Sequence, residues 1–383
     1  MARMDFELPD DLKEMRRKAR EFALKEITPE FAQKYDREES FPEELRKKAY
    51  ASGLVDYSNP WSVLILQEEF CRVDAGTGIC AVSGYFGLET ITLFGTEEQK
   101  AKYVPMVTTG KAMMGLAVTE PSAGSDVAGI KTTATKAGDH YTLNGAKMFI
   151  TNGQLADFLV TLTRTSPQTQ KRHHGLSLFI VETGTEGVTR NKLHEKLGVR
   201  ATNTAEIVLN DVKVPAKNLI GEEGKGFYYV MTFFDISRIY TAIQAVGIAQ
   251  GALDRVLDYV FAQGMENLKE ETLMTIGEME MRIEAARLLT YSAASRLFQF
   301  NPDPKLTSSA KAFGSETAVW VTEKAMEITG LQGLSGDLER FFRDAKIMEI
   351  WEGTSEVEKL TIARTMFREM MKEFLGEKGG AKA

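Results

Sequence analysis

Apolar residues recur every three to four positions through roughly the first hundred residues of the chain, a period that predicts amphipathic helices. The first stripe covers residues 12–27, and Asp10 or Asp11 can cap the helix that carries it. A second start combines Ser40 as a cap with Pro42 and two acids in the first turn. Further helices are predicted over residues 61–73, 79–93 and 96–110. Together these segments predict an N-terminal helical domain over residues 1–112.

The pattern changes near residue 112 to short segments rich in β-branched and aromatic residues. They cover residues 115–119, 131–135, 141–143, 147–151, 158–163, 176–181 and 205–209. Turn signals separate several of them, at residues 137–139, at Asn144-Gly145, at Asn152-Gly153 and at Asn210-Asp211. Strands at this spacing predict a middle antiparallel β-barrel or sandwich over residues 113–217.

From Gly226 the helical period returns and persists. Apolar stripes run through residues 238–263, 272–300, 306–330, 338–351 and 355–375, with short links between them. Long antiparallel helices joined in this way predict a C-terminal four-helix bundle over residues 218–383. The predicted fold is therefore α+β, and mostly α.

Composition and charge exclude several functions. The 383 residues carry a formal net charge of -7, which argues against nucleic acid as a partner. Cys71 and Cys80 lack a metal spacing, and the four histidines form no HxxxH pair, so we expect no metal site. No apolar run is long enough to span a bilayer, and the first residues do not resemble a signal peptide. We expect a cytoplasmic protein with no membrane partner.

Residues 116–126 begin as a buried strand and then break. Pro121 cannot donate to a sheet ladder and Gly124 can adopt a positive φ, so a turn must follow Glu120. Ser125 and Asp126 come next. Such a turn gathers backbone N–H groups and hydroxyls, which suits a phosphate or a polar ring edge. The alternative is an ordinary bulge or loop.

Glu352 lies in a predicted break between two helices, beside Trp351 and Ile350. Partial desolvation there would favour the protonated carboxyl, which makes a carboxylate a useful base for a weak carbon acid. The alternative is a surface glutamate at a helix cap. The chain contains no Walker or dinucleotide-binding glycine loop.

Five motifs in order resemble the acyl-CoA dehydrogenase flavoprotein family. They are residues 117–126, 143–153, 196–200 with 212–215, 283–287, and 343–346 through 352–354. The resemblance implies α,β-dehydrogenation of an acyl-CoA thioester with FAD as cofactor. A carboxylate removes the α-proton while the β-hydrogen leaves as hydride to flavin N5, and electrons pass to an electron-transfer flavoprotein. It also implies a homo-oligomer, which we expect to be a tetramer.

The resemblance assigns roles to individual residues. Glu352 is the implied catalytic base, because the alternative position used by some relatives holds Ser237, which cannot serve. The implied cofactor-binding residues are Leu116, Val118, Thr119, Gly124, Ser125, Phe149, Ile150, Thr151, Thr354 and Glu356. The implied substrate-binding residues are Ser125, Tyr229, Asp235, Arg238, Trp351 and Gly353.

Some segments depart from the family pattern. Residues 261–265 stand where an Arg-x-x-Phe-Gly segment is usual, and Glu327 replaces a glutamine that normally meets the neighbouring subunit's FAD. Two alternative functions therefore stay open: a flavin oxidase or monooxygenase on the same fold, and a non-catalytic CoA-binding relative. Bulky aromatic residues at 85–86, 228–229 and 233–234 lead us to expect a short, branched or cyclic acyl group.

Overall fold

The computed structural model describes residues 8–168, 170–264 and 268–380. The chain divides into two compact units. The first consists of Lys18–Leu66 and Gly76–Phe233, and it contains most of the N-terminal helices and the whole sheet. The second combines the chain up to Arg17, Gln67–Ala75 and the chain from Phe234 onward.

Between residue 8 and the sheet the chain forms seven helices. They are α1 (Asp10–Glu26), α2 (Pro29–Glu38), α3 (Glu43–Ala51), α4 (Pro60–Val73), α5 (Ala75–Val82), α6 (Leu88–Phe94) and α7 (Glu97–Thr108). Thr28 caps α2 through a hydrogen bond from the backbone N–H of Phe31, and Pro29 takes the first helical position. The start of α7 is a capping box between Thr96 and Gln99. The predicted N-terminal helical domain is thus observed.

The single helix predicted over residues 79–93 is wrong, because α5 and α6 are separate. Gly84 and Gly87 between them adopt φ values of 127° and 99°. Helical backbone is impossible at these angles, and only glycine adopts them at low cost. A Cβ on Gly87 would also lie 2.9 Å from the Cβ of Leu116. The backbone angles of these two glycines therefore divide the apolar run into two helices.

The middle of the chain forms an eight-stranded sheet. Its strands are β1 (Met114–Ala117), β2 (Thr133–Ala137), β3 (His140–Thr151), β4 (Phe158–Arg164), β5 (Leu176–Glu182), β6 (Val188–Lys192), β7 (Thr204–Pro215) and β8 (Leu219–Ile220). The order is β6-β7-β3-β2-β4-β5-β8, with β1 beside β4. Most pairs are antiparallel, whereas β1 and β2 each pair with β4 in parallel. The sequence pattern missed β6, whose residues alternate between half-buried and exposed positions and include no aromatic residue.

Two of the predicted turns are instead irregularities inside long strands. Asn144 and Asp211 face each other across β3 and β7, where the register shifts between Leu143 and Gly145. The Asn144 side-chain amide donates to Asp211 Oδ1 at 2.9 Å, and the Asp211 backbone N–H donates back to Asn144 Oδ1 at 2.9 Å. Each predicted turn residue thus satisfies the other, and both strands continue through a bulge.

The C-terminal helices are α8 (Gly226–Gln263), α9 (Glu270–Phe298), α10 (Pro304–Thr329), α11 (Leu331–Ser335), α12 (Leu338–Met348) and α13 (Ser355–Gly380). Helix α10 packs against α9, α12 and α13, so it forms the centre of the bundle. Gly314 of α10 lies against the backbone of Ala242 in α8. None of the described helices combines the length and the apolar character that a membrane crossing requires.

A buried carboxylate joins the segment Gln67–Ala75 to the C-terminal helices. Glu68 Oε1 accepts from Arg287 Nε at 2.8 Å, and Glu68 Oε2 accepts from Arg16 at 3.1 Å. Burial would raise the pKa of Glu68, but the two guanidinium groups hold it below its usual value. The motif at residues 283–287 therefore has a structural role here, because its arginine neutralises a charge inside the bundle.

Candidate active site

The loop between α12 and α13 holds Glu352 in an unusual backbone conformation. Glu352 has a φ of 56°, in the left-handed region, and Gly353 follows with a φ of 106°. Thr354 ends the loop, and its hydroxyl accepts from the backbone N–H of Val357 at 3.3 Å in the first turn of α13. A non-glycine residue in this region costs free energy and persists only where the surroundings hold it, often at functional sites.

The side chain of Glu352 is tied to α8. Its Oε2 accepts a short hydrogen bond from the Ser237 hydroxyl, and its carbonyl oxygen accepts a long one from Arg238 Nε at 3.4 Å. The structure shows no hydrogen bond from the backbone N–H of Glu352 to any residue that it describes. Burial raises the pKa of Glu352 to about 7, while Ser237 and the nearby cations oppose the rise. This carboxyl can therefore gain or lose a proton near neutral pH.

Four predicted substrate-binding residues belong to this unit: Trp351 and Gly353 flank Glu352 in the chain, and Asp235 and Arg238 lie on α8. Arg238 donates to Asp235 Oδ1 at 2.8 Å, one turn earlier on α8. Burial raises the pKa of Asp235, and Arg238 partly offsets that effect. Trp351 Nε1 is buried and has no hydrogen-bond partner among the described residues. A buried donor without a partner is a candidate contact for a ligand.

The predicted turn after β1 is present in the other unit. Glu120 and Ala123 form a pair of backbone hydrogen bonds of 3.0 and 3.1 Å, which closes the chain on itself at Pro121. Gly124 and Ser125 follow at the surface, and a Cβ on Gly124 would have no atom within 4 Å. The break in the strand pattern therefore becomes a tight turn with an open surface beside it.

A buried ion pair stabilises the backbone on the strand side of this turn. Lys147 Nζ donates to Glu120 Oε1 and to the Val118 carbonyl oxygen, both at 2.9 Å. The other contacts of Glu120 come from the backbone N–H groups of Lys131 and Thr132. Burial lowers the pKa of Lys147 to about 8, an effect that Glu120 partly opposes. The shape of the turn thus depends on a charge pair that is almost completely removed from water.

A bulge between Lys147 and Ile150 turns Phe149 outward. The register of β3 against β7 shifts there, and Phe149 has a φ of 60°. Its side chain is 67% exposed, whereas Ile150 is buried and Thr151 is half-buried. Leu116 and Val118 of the turn segment are buried, and Thr119 is half-buried. The bulge therefore leaves one face of an aromatic ring open to a ligand.

Models of three acyl-CoA dehydrogenase domains match the chain. The N-terminal domain model matches residues 9–111, the middle domain model 115–212 and the C-terminal domain model 224–367. The chain belongs to the acyl-CoA dehydrogenase family. It is therefore an oxidoreductase of this family, which uses FAD.

Relatives match over nearly their whole lengths. A short-chain specific acyl-CoA dehydrogenase of Clostridium acetobutylicum is 38% identical over 384 residues, which cover 95% of this chain and 100% of the relative. Butyryl-CoA dehydrogenase of Megasphaera elsdenii has a similar structure, with a TM-score of 0.89 and 34% identity over 95% of this chain and 100% of that chain. A chain in a structure described as the electron transferring flavoprotein of Acidaminococcus fermentans is also similar, with a TM-score of 0.90 and 35% identity. The match covers 95% of this chain and 100% of that chain.

The residues of the β-domain fit the cofactor that the family uses. An isoalloxazine ring has a flat apolar body and a polar edge, and the exposed Phe149 ring together with the hydroxyls of Thr119 and Thr151 supplies the matching groups. The exposed hydroxyl of Ser125 and the open space beside Gly124 suit a phosphate. No cluster of potential metal ligands exists among the residues in the described part of the chain.

Other predicted site residues have defined environments. Glu356 is exposed. A hydrogen bond from its own backbone N–H lowers its pKa most, and a hydrogen bond from the Thr354 side chain lowers it further. Tyr229 stacks on Phe94 with ring centroids 4.1 Å apart. Glu327, the acid at an unusual position, pairs with Lys324 at 2.7 Å on the same helix, so its charge is compensated locally. Of the other unusual segment, residues 261–265, Met265 lies outside the described residues.

Two charged residues of the bundle were missed by the sequence analysis. Lys311 and Glu358 are completely buried, and Lys311 Nζ donates to the carbonyl oxygen of Gly353. Their signal in the sequence is weak, because each lies in a stripe of small or apolar residues where a long charged side chain can also point to solvent. Only the packing of α8, α10 and α13 reveals that both belong to the surroundings of Glu352.

Proposed function

We propose that Glu352 is the general base that removes the α-proton of an acyl-CoA thioester. The observation that carries this proposal is its carboxyl, which is held by Ser237 on a left-handed backbone and has a pKa raised to about 7. A base with a pKa near the working pH combines a useful ionised fraction with a strong drive to take up the proton. An ordinary surface glutamate would be ionised but too weak a base for a carbon acid.

The surrounding residues divide the work. Ser237 holds Oε2, which leaves Oε1 to accept the α-proton. The backbone N–H of Glu352, which donates to no described residue, is available to the thioester oxygen as negative charge develops there. Bound FAD supplies the acceptor for the hydride that leaves the β-carbon. Arg238, fixed by Asp235, keeps the loop carbonyl in place and thereby orients the base.

We assign FAD binding to the β-domain edge and to the start of α13. Leu116, Val118, Thr119, Phe149, Ile150 and Thr151 would contact the ring, Gly124 and Ser125 the linker, and Thr354 with Glu356 the phosphates and adenosine. The exposed Phe149 and the open surface at Gly124 support the first two assignments. Substrate contacts are assigned to Ser125, Tyr229, Asp235, Arg238, Trp351 and Gly353, and the unpartnered indole N–H of Trp351 supports its place in that set.

The acyl group is proposed to be short, branched or cyclic. Phe86 meets Phe233 edge-on with ring centroids 5.2 Å apart, and Tyr229 stacks on Phe94. If these rings line the acyl pocket, as the proposal assumes, they would leave little room for a long alkyl chain. The relatives described as short-chain specific and as butyryl-CoA dehydrogenase support the same range. Kinetics with acyl-CoAs from butyryl-CoA to palmitoyl-CoA test this, and a higher kcat/KM for palmitoyl-CoA would exclude it.

Electron-transfer flavoprotein is the proposed electron acceptor. The support is the similarity to the chain in the Acidaminococcus fermentans structure, whose description names that flavoprotein. The test is turnover with acyl-CoA in the presence of either electron-transfer flavoprotein or O₂ alone. Turnover that needs the flavoprotein supports the proposal, whereas rapid O₂ consumption without it favours an oxidase.

We also propose a homotetramer built from three-domain subunits with boundaries near residues 112 and 217. The three family models, which match residues 9–111, 115–212 and 224–367, support these boundaries. Support for assembly comes from α13, where large apolar side chains are half exposed or more: Leu360, Met366, Phe367, Met370 and Phe374. Such a face is typical of a surface that binds a partner. Sedimentation equilibrium measures the assembly directly, and a monomer would contradict it.

A further inference from the structure

A cluster of buried and half-buried charges lies around the loop that carries Glu352. It consists of Asp235 and Arg238 from α8, Lys311 from α10, Glu352 itself and Glu358 from α13. Two more carboxylates lie near Lys311: Glu349, just after α12, pairs with Lys346, and Glu356, in the first turn of α13, is exposed. The proposed function uses Glu352, Asp235 and Arg238, and leaves Lys311 and Glu358 without a role.

Glu358 is the less usual of the two. Its carboxylate is completely buried, and Arg238 Nε lies 2.9 Å from Oε1. Neither of its oxygens accepts a well-oriented hydrogen bond from the described residues. A Cβ on Gly353 would overlap with Oε1, so the carboxylate lies directly against the Cα that follows Glu352. Burying a carboxylate with so few hydrogen bonds is costly, so burial raises the pKa of Glu358, and Arg238 and then Ser308 offset that effect only in part.

Lys311 lies at the same peptide. Its ammonium is completely buried and donates to the carbonyl oxygen of Gly353. Burial lowers the pKa of Lys311 to about 8, and Glu358 and then Glu352 are the carboxylates that oppose this effect most. Gly353, which follows Glu352, therefore has the Lys311 ammonium at its carbonyl oxygen and the Glu358 carboxylate at its Cα.

Burial raises the pKa of Asp235 and of Glu358 and lowers that of Lys311, so each of these charges depends on its neighbours. With Asp235 and Glu358 ionised and Arg238 and Lys311 protonated, the four charges balance when Glu352 is protonated. Ionisation of Glu352 adds a third carboxylate without a third cation. In a site removed from water such an imbalance changes proton affinity strongly, because little solvent screens it.

We propose that Glu358 and Lys311 are opposing positioning residues whose buried charges set how readily Glu352 takes up a proton. Glu358 favours the protonated base, and Lys311 favours the ionised base. The inference rests on the proposed function, since it assumes that Glu352 is the base. It adds that a second carboxylate in this chain tunes the base through the loop.

The test is the pH dependence of kcat/KM with butyryl-CoA for the FAD-loaded enzyme and its variants. Glu358→Gln removes the negative charge and should move the acidic limb to lower pH by about one unit. Lys311→Met removes the positive charge and should move it to higher pH by a similar amount. The double variant should return close to the wild-type profile, because both charges leave together. A purely structural role would lower activity in both single variants without shifts in opposite directions.

Matched controls are available on the same helix. Lys359→Met and Glu369→Gln change exposed residues of α13 that pair with Glu316 and Lys305, and both should leave the profile unchanged. If a single variant does not fold, the double variant and Lys311→Arg, which keeps the charge, are measured in its place; Lys311→Arg should keep the wild-type limb. Infrared spectra of the substrate-free holoenzyme, with Glu352→Gln identifying the band, follow the protonation of Glu352 independently of turnover.

The possible failures are distinguishable. Full activity of Glu352→Gln would remove the proposed function and this inference with it. Loss of activity in Glu352→Gln, together with unshifted limbs in Glu358→Gln and Lys311→Met, would overturn this inference alone. If the double variant shows the same displacement of the acidic limb as one of the single variants, the effect belongs to that residue alone. This result would contradict the opposing pair.

Discussion

The hydroxyl of Ser237 offers the sharpest test of how this site controls its base. Ser237 donates to Oε2 of Glu352, and a hydrogen bond of this kind stabilises the ionised carboxylate more than the protonated form. Ser237→Ala should therefore raise the pKa of Glu352 above its value of about 7. Since the ionised carboxylate is the active form in the proposed mechanism, the acidic limb of kcat/KM should move to higher pH.

The size of the effect follows from the charge on the acceptor. Hydrogen bonds to charged groups contribute about 1.5–3 kcal/mol, and one pKa unit corresponds to about 1.4 kcal/mol, so the expected shift is about 1–2 units. At about pH 6 roughly a tenth of wild-type Glu352 is ionised, and the variant should lose at least about tenfold in kcat/KM. At about pH 9.5 both forms are mostly ionised, and the loss should be below about twofold.

Steady-state kinetics across this pH range provide the assay. Ser237→Thr keeps the hydroxyl and should restore the wild-type limb. Ser335→Ala removes an exposed hydroxyl that bonds only to its own helix backbone, and it should change nothing. An equal loss of activity by Ser237→Ala at every pH would refute the reasoning, because it would mean that the serine shapes the site without affecting ionisation.

Three further predictions concern stability and cofactor retention. The folded-state pKa of Glu352 is raised from 4.5 to about 7, so the protein loses stability as pH rises through that interval. Glu352→Gln should stabilise the holoprotein by about 2–3 kcal/mol more near pH 8.5 than near pH 5, and equal calorimetric midpoint changes at both pH values would contradict this. Lys147→Met leaves Glu120 buried without its cation and should cost about 3–5 kcal/mol, whereas Lys213→Met, on an exposed strand position, should cost almost nothing in urea unfolding. Phe149→Ala should leave the melting temperature within about 2 °C and weaken FAD binding in fluorescence titrations; unchanged affinity would remove Phe149 from the cofactor surface.

Periodicity predicted the order of helices, sheet and helices well, because the pattern of the middle part differs from the helical period on either side of it. It failed where a few residues had local alternatives. Asn144 and Asp211 are turn formers, yet they bond to each other and let two strands continue. Gly84 and Gly87 end a helix that the apolar pattern would continue. Both errors have the same cause, since a period reports which side is buried and not what a single backbone angle must be.

The candidate site was partly predictable for a similar reason. Glu352 could be found because it stands in a helix break beside Trp351, a local feature. Lys311 and Glu358 could not, because their burial depends on helices that are far apart in sequence. The three residues nevertheless lie around one peptide, and we expect the proton affinity of Glu352 to depend on all of them.

The proposed role of Glu352 as the base that removes the α-proton can be tested directly. The most direct measurement is anaerobic mixing of the FAD-loaded protein with butyryl-CoA, with the flavin absorbance followed in time for wild type and Glu352→Gln. The account predicts rapid bleaching of the wild-type flavin and none in the variant, although the variant still binds the acyl-CoA. Bleaching of Glu352→Gln at the wild-type rate would contradict the account, since the proton would then leave to another group.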